Sequence, residues 1–237
     1  MASDTAATNA LLNAETDFGL DLLRQSPANA ELVISPLSII LALTMVQAGA
    51  RGKTKEQIDK VIAKGANDKD IKNFYSFLSN DIRNSTNGVR TNIANAFFLD
   101  KKYAVAKQYA ETIDQLYAAK VEILDFDQIQ ETAKIINAFV DNATMGKIKD
   151  FIQEKMVKDA FSLVVNAVYF TAKWEHEFSK EFTSDATFYS SENQQREIEF
   201  LKESDEHRFY TEDERVQVLS LRYKDTSYAV NIFLPKK

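Results

Sequence analysis

Few residues in this sequence have the type and spacing that chemistry needs. Only His176 and His207 could act as bases near neutral pH. His176 stands between Glu175 and Glu177, but successive residues of an extended segment point to opposite faces. A solvated surface histidine is the expected reading. No GxSxG, HExxH, HxxxH or GxGxxG pattern occurs, and a serine triad would need one of these two histidines beside a serine and an acid. Cysteine is absent, so there is no disulfide framework, thiolate metal site or thiol nucleophile. No catalytic residue, metal site or cofactor site is expected, and the chain reads as a non-enzyme.

Two further segments ask for an account. Gly49-Ala50-Arg51-Gly52-Lys53-Thr54 is close to the phosphate loop GxxxxGK[ST], but Gln47 occupies the place of its first glycine. A helical pattern, not a strand, precedes it, and Thr54 is better used as a helix cap. Asn166 is the sharper anomaly. It interrupts the apolar run Phe161–Val165 and Ala167–Phe170. A buried amide left unpaired costs ~1–3 kcal/mol, so something must hydrogen-bond it. It is either a satisfied core polar group or a latch in a strand that must sometimes move.

The elements that hold these residues can be read from periodicity. Leu11, Ala14, Phe18 and Leu22 recur at helical spacing until Pro27. Ser35 reads as a helix cap with Pro36 at the first helical position and Gly49 as the stop. Thr54-Lys55-Glu56-Gln57 has the form of a capping box. Ile71, Phe74, Leu78 and Ile82 mark another helix, ended by a polar loop at 84–88. Ile93, Asn95, Phe97 and Leu99 alternate as in a strand. Helices are predicted over 106–119 and 130–142, with a strand over 120–126 between them. Residues 160–174 form a long apolar run that suits a central strand covered on both faces. Strands then follow over 183–189, 196–201, 206–211, 216–223 and 227–234. Helices first, then strands with helices between, then strands alone, is an α+β order.

The chain has 237 residues, a mass of 26.9 kDa and a net charge of −6, the wrong sign for a general nucleic-acid or anionic-membrane binder. Residues 192–215 carry most of that charge, and read as a solvated, edge-protecting face or as a docking surface for a basic partner. Met1–Thr5 lack a basic start followed by an apolar run, so no signal peptide is expected, and no run is long enough to cross a membrane. Two sequons, Asn84-Ser85-Thr86 and Asn142-Ala143-Thr144, carry little weight in that setting. The chain stops just after a buried-looking strand, as a fragment or truncated product would.

Several blocks together resemble one family. Ile34-Ser35-Pro36-Leu37-Ser38-Ile39 through Thr54, with Gln57-Ile58, is similar to the N-terminal block of serpins. Val165-Asn166-Ala167-Val168-Tyr169-Phe170 with Trp174 and Phe178 resembles the serpin strand-and-tryptophan block. Ile136–Val140 with Thr144 and Lys147-Ile148 resembles the helix over the main sheet. Leu219–Leu221, Tyr223 and Ile232-Phe233-Leu234-Pro235 resemble the paired strands that follow. The likeness runs from about residue 5 to the end and is greatest to invertebrate serpins without a secretion signal. Departures are Phe139 for the usual tryptophan, Thr171-Ala172 for a common Lys-Gly pair, and a 196–203 segment without the Pro-Met-Met run.

The resemblance implies a serpin fold: N-terminal helices packed on a large mixed sheet, then mostly antiparallel strands, with the C-terminal part missing. Residues 1–237 would be a single domain, roughly two-thirds of a serpin, without the reactive loop or the opposite wall of the insertion slot. It implies a suicide-substrate inhibitor of serine, or cysteine, proteases that works by loop insertion into the main sheet in the full-length form, not in this chain alone. It groups Ser35, Ser38 and Asn166 as the shutter under the sheet and places Trp174 at the breach. The expected partner is a serine protease, with no nucleic acid and no membrane. The strand at 160–174, open on one side, invites self-association. The expected location is cytoplasmic, with the extracellular space as the alternative. A non-inhibitory binding or regulatory fragment and a nucleotide enzyme are the competing readings. Lys69, Lys72 and Arg83 are interleaved with Asp70 and Asp81, so no basic stripe for heparin-type activation forms.

Overall fold

A computed structural model describes residues 2–28, 31–84, 87–117, 119–204 and 206–236. The chain divides into two compact units, 1–84 with 91–170, and 85–90 with 171–237.

The first unit begins with four helices. α1 (Ala2–Gln25) buries Leu11 and Ala14, two of the residues that its periodicity singled out. α2 (Pro36–Gly49) starts as predicted: Ser35 is the extended N-cap, its hydroxyl accepts from the Ser38 N–H at 3.3 Å, and Pro36 follows. Ser35→Ala should therefore cost about 1 kcal/mol, seen as a lower urea midpoint at unchanged slope. An unshifted midpoint would mean that the cap contributes nothing.

Two local expectations need correction. α2 does stop at Gly49 as expected, but not through a left-handed turn; Ala50 follows in an extended conformation. Its missing side chain serves close packing instead, since a Cβ there would lie 2.9 Å from the Tyr109 ring. Nor does Thr54 cap a helix. α3 (Gly52–Ile62) begins three residues earlier than a Thr54 cap would give, with Gly52 at φ +55, and Arg51 at the N-cap makes no side-chain cap bond. α4 (Asp68–Arg83) is capped by Asn67, which accepts from the Asp70 N–H at 3.0 Å.

A three-stranded sheet follows. β1 (Val89–Asp100), α5 (Lys107–Tyr117) and β2 (Lys120–Leu124) form a strand–helix–strand unit with β1 and β2 parallel. α6 (Ile129–Ala143) and α7 (Glu154–Val157) precede β3 (Ser162–Ala172). Nothing in the periodicity announced α7. The order is β2-β1-β3, so β3 is an edge strand among the described residues, not a central one. Both faces of the sheet are covered. Ile93, Phe97, Val121 and Val164 pack against the helical core of Leu11, Ile40, Leu41, Met45, Ile62 and Tyr75. Ala96, Phe98 and Val165 face the other way, against Ala133, Ile136 and Val140 of α6. Asn137 fastens the end of this layer, donating to Ile152 O at 2.9 Å and accepting from its N–H at 2.7 Å.

The second unit is all strand. β4 (Ser184–Ser191) and β5 (Gln194–Phe200) form an antiparallel hairpin with an irregularity between Tyr189 and Ser191. β6 (Phe209–Glu212), β7 (Val216–Arg222) and β8 (Ala229–Pro235) form an antiparallel meander; β7 lies within its predicted span, and β6 and β8 each run one residue past the end of theirs. The described acids of 192–215 are exposed except Glu203, as a solvated face requires. Of the first sequon, Ser85 and Thr86 lie outside the described residues; in the second, Thr144 is buried and its hydroxyl accepts from the Ile148 N–H at 3.0 Å.

Candidate functional site

Asn166 lies in the middle of β3, where alternation turns Val165 and Ala167 into the core under α6 and Asn166 toward the opposite face. There its amide Nδ2 donates to Asn95 Oδ1 at 2.5 Å. Asn95, on β1, is buried, and its own Nδ2 donates to the Tyr117 carbonyl at 3.3 Å. The same carbonyl, at the end of α5, accepts from Arg83 at the end of α4 at 3.1 Å. One polar chain thus runs from β3 through β1 to two helix ends. Burial pushes the Arg83 guanidinium below its usual range and the Tyr117 hydroxyl above its own, the latter opposed by a hydrogen bond with Thr44. Asn166 Oδ1 is sealed from solvent without a hydrogen-bond partner.

Sequence reasoning found Asn166 and took Asn95 for an ordinary alternating strand residue. The missed signal was of the same kind, an amide in an apolar strand between Ala94 and Ala96. The two serines are placed differently from the amides. Ser35 and Ser38 are joined to each other at the start of α2, and Ser38 is buried. Among the described residues no hydrogen bond joins either serine to Asn166; the direct partner is Asn95.

Trp174 belongs to the second unit and forms a separate cluster. It stacks on Tyr223 at 4.7 Å and 16°, pairs with it in a short antiparallel bridge, and meets Phe178 edge-on at 5.8 Å. Arg208 lies 5.6 Å from the Phe178 ring centroid and forms a two-bonded fork with Glu203, the Nε–Oε1 contact being 2.7 Å. These hydrogen bonds hold the Glu203 carboxyl below its ordinary value of 4.5 and the guanidinium above its own. A depressed carboxylate contributes stability above its unfolded pKa and loses it as pH falls through the folded one. The emission of Trp174, the one tryptophan, should therefore be flat from neutral pH down to about 4.5 and shift below it; Glu203→Gln should remove that transition. A transition unchanged in Glu203→Gln would place its cause elsewhere.

His176 lies exposed, 3.8 Å from Glu206. Among the described residues no group of three or more His, Asp or Glu could hold a metal ion, and no helix is long and apolar enough to cross a membrane. The segment 49–54 runs from the end of α2 through Ala50-Arg51 into the start of α3, so no strand feeds it; it borders a largely apolar groove of about 690 Å³ beside Phe97, Tyr109 and Val164. A phosphate loop is not built there.

Comparison with known proteins gives these features a context. The family model described as Serpin (serine protease inhibitor) matches residues 13–237. Serpin B3 of Homo sapiens is 31% identical over 249 residues, covering 97% of this chain and 64% of that protein. Serine protease inhibitor 42Dd of Drosophila melanogaster is 30% identical over 219 residues, covering 91% and 59%. Among solved structures, human glycosylated kallistatin superposes with a TM-score of 0.88 at 27% identity, over 94% of this chain and 61% of that one. The chain thus spans under two thirds of the length of these relatives.

Proposed function

The chain belongs to the serpin family, and from that premise we propose that it is the sheet-and-helix portion of a protease inhibitor that traps serine proteases by admitting its own cleaved loop into the sheet. Both units are read as parts of one serpin domain. The observation that carries this is the Asn166–Asn95 bond. It ties the edge strand β3 to β1 by side chains on the buried helical side, where a few hydrogen bonds can part without emptying a hydrophobic core. In this reading Ser35 and Ser38, at the capped start of α2, complete the shutter and Trp174 marks the breach. The bait loop and the opposite slot wall are, in this reading, not supplied by these 237 residues, which by themselves are expected not to inhibit. The cytoplasm is the proposed location, and the extracellular space the alternative.

The test uses the full-length gene product and the 237-residue chain side by side against serine proteases of trypsin-like, chymotrypsin-like and elastase-like preference. The full-length protein should form an SDS-stable complex with at least one, and the shorter chain with none. Cleavage of the full-length protein without any stable complex would favour a non-inhibitory binding role. An SDS-stable complex of the shorter chain would overturn the assignment of the missing parts. The open edge of β3 also supports self-association of the shorter chain by strand addition. Sedimentation should show concentration-dependent oligomers, and a strictly monomeric boundary would exclude it.

A further inference from the structure

The turn entering β1 carries a reactive pair at a structurally important address. Asn87-Gly88 is the one Asn-Gly dipeptide in the sequence. Both residues are exposed, and both have positive φ, +55 and +88. Glycine puts no side chain in the way of its own amide nitrogen, so the neighbouring asparagine carboxamide can be attacked by the backbone. We propose that Asn87 is a site of spontaneous deamidation and isoaspartate formation, and that the change loosens the Trp174 cluster.

The chemistry needs only water. The Gly88 backbone nitrogen attacks Asn87 Cγ and gives up its proton. The Cγ–Nδ2 bond breaks, and Nδ2 leaves as ammonia, giving a five-membered succinimide. Water then opens the ring at either carbonyl. One opening yields aspartate; the other yields isoaspartate, in which the main chain runs through Cβ and Cγ and gains a carbon.

The address follows from the bonds that this turn makes. Asn87 Nδ2 donates to the Lys224 carbonyl at 3.3 Å. The Gly88 carbonyl accepts from the Lys173 N–H at 2.8 Å, and Lys224 N–H donates to the Lys173 carbonyl at 2.7 Å. The Lys173 and Lys224 side-chain stems flank Gly88, each 3.4 Å from where a Cβ would be. Lys173 precedes Trp174, and Lys224 follows Tyr223, the ring on which Trp174 stacks. A carboxylate at position 87 has no hydrogen to donate to Lys224 O. An isoaspartyl link lengthens the turn and moves Gly88 O away from Lys173 N. Both products release the clamp on the segments that hold the Trp174–Tyr223 stack.

The experiment incubates the folded chain at mildly alkaline pH, samples it over time, and maps tryptic peptides by mass spectrometry. Residues 84–90 form one peptide that also contains Asn84, so fragment ions assign the site. Isoaspartate is counted with protein isoaspartate methyltransferase. Asn87 should lose its amide before any other asparagine, methyl acceptance should rise with it, and Trp174 emission should drift in parallel. In Asn87→Gln both the methyl acceptance and the drift should be lost. Retention of the Asn87 amide while another asparagine converts would overturn the site. Conversion at Asn87 with unchanged Trp174 emission would overturn the claimed link to the cluster.

Discussion

Phe98→Ala is expected to cost about 3–5 kcal/mol, the full range for truncating a buried aromatic ring. The reason lies in where the ring sits. Phe98 is fully buried on β1 and meets Phe139 of α6 edge-on at 5.7 Å and 82°. β1 has β2 on one side and β3 on the other, and its opposite face is occupied by the helical core through Ile93 and Phe97. The strand therefore cannot move to fill the void, and the α6 residues Ala133 and Ile136 are too short to do so. Against a total stability of ~5–15 kcal/mol this loss is severe. Urea unfolding followed by circular dichroism measures it, with Phe98→Leu as the milder control. A cost of about 1 kcal/mol or less for Phe98→Ala would mean that α6 settles onto the sheet more freely than close packing allows.

Asn95→Ala should be the next most damaging change, at about 2–3 kcal/mol. It removes the acceptor of Asn166 Nδ2 and the donor to Tyr117 O in one step. Because Asn166 Oδ1 is already without a partner, the whole Asn166 amide is then left unpaired. Asn166→Ala should cost less, since it also deletes that orphan acceptor and leaves Asn95 its bond to Tyr117. In a double-mutant cycle the two changes should couple by ~0.5–3 kcal/mol. Strict additivity, or a larger loss from Asn166→Ala, would show that the inter-strand bond is not what joins the two strands at this point.

The parts of the fold that were legible are those where one local rule decides. Ser35-Pro36 fixes the start of α2 because a hydroxyl and a locked φ both act within three residues. The strands of the second unit stand out as short strand-forming runs set apart by polar turns, to within three residues at their ends. Thr54 does not cap because α3 is already under way at Gly52, with Arg51 in the N-cap position and no side-chain bond to announce it. α7 spans four residues, too few to show a period. Gly49 was correctly seen as special, but its reason, the Tyr109 ring, is sixty residues away in sequence. The site divides in the same way. Asn166 announced itself by polarity in an apolar run, and its need for a partner followed from physics. Which residue supplies that partner depends on how β1 and β3 come side by side, and no spacing within either strand encodes that.

The strand order β2-β1-β3 has a consequence that can be read residue by residue. Backbone N–H groups along a strand point alternately to its two sides. In β3 only one side has a neighbour among the described residues, so half of its amides are tied in a ladder and half face outward. Hydrogen–deuterium exchange along 162–172 should then give a comb, slow and fast at alternate positions. Any segment that lies down along that edge, from this molecule or another, would fill in the fast teeth first, so the comb reports its arrival without a label.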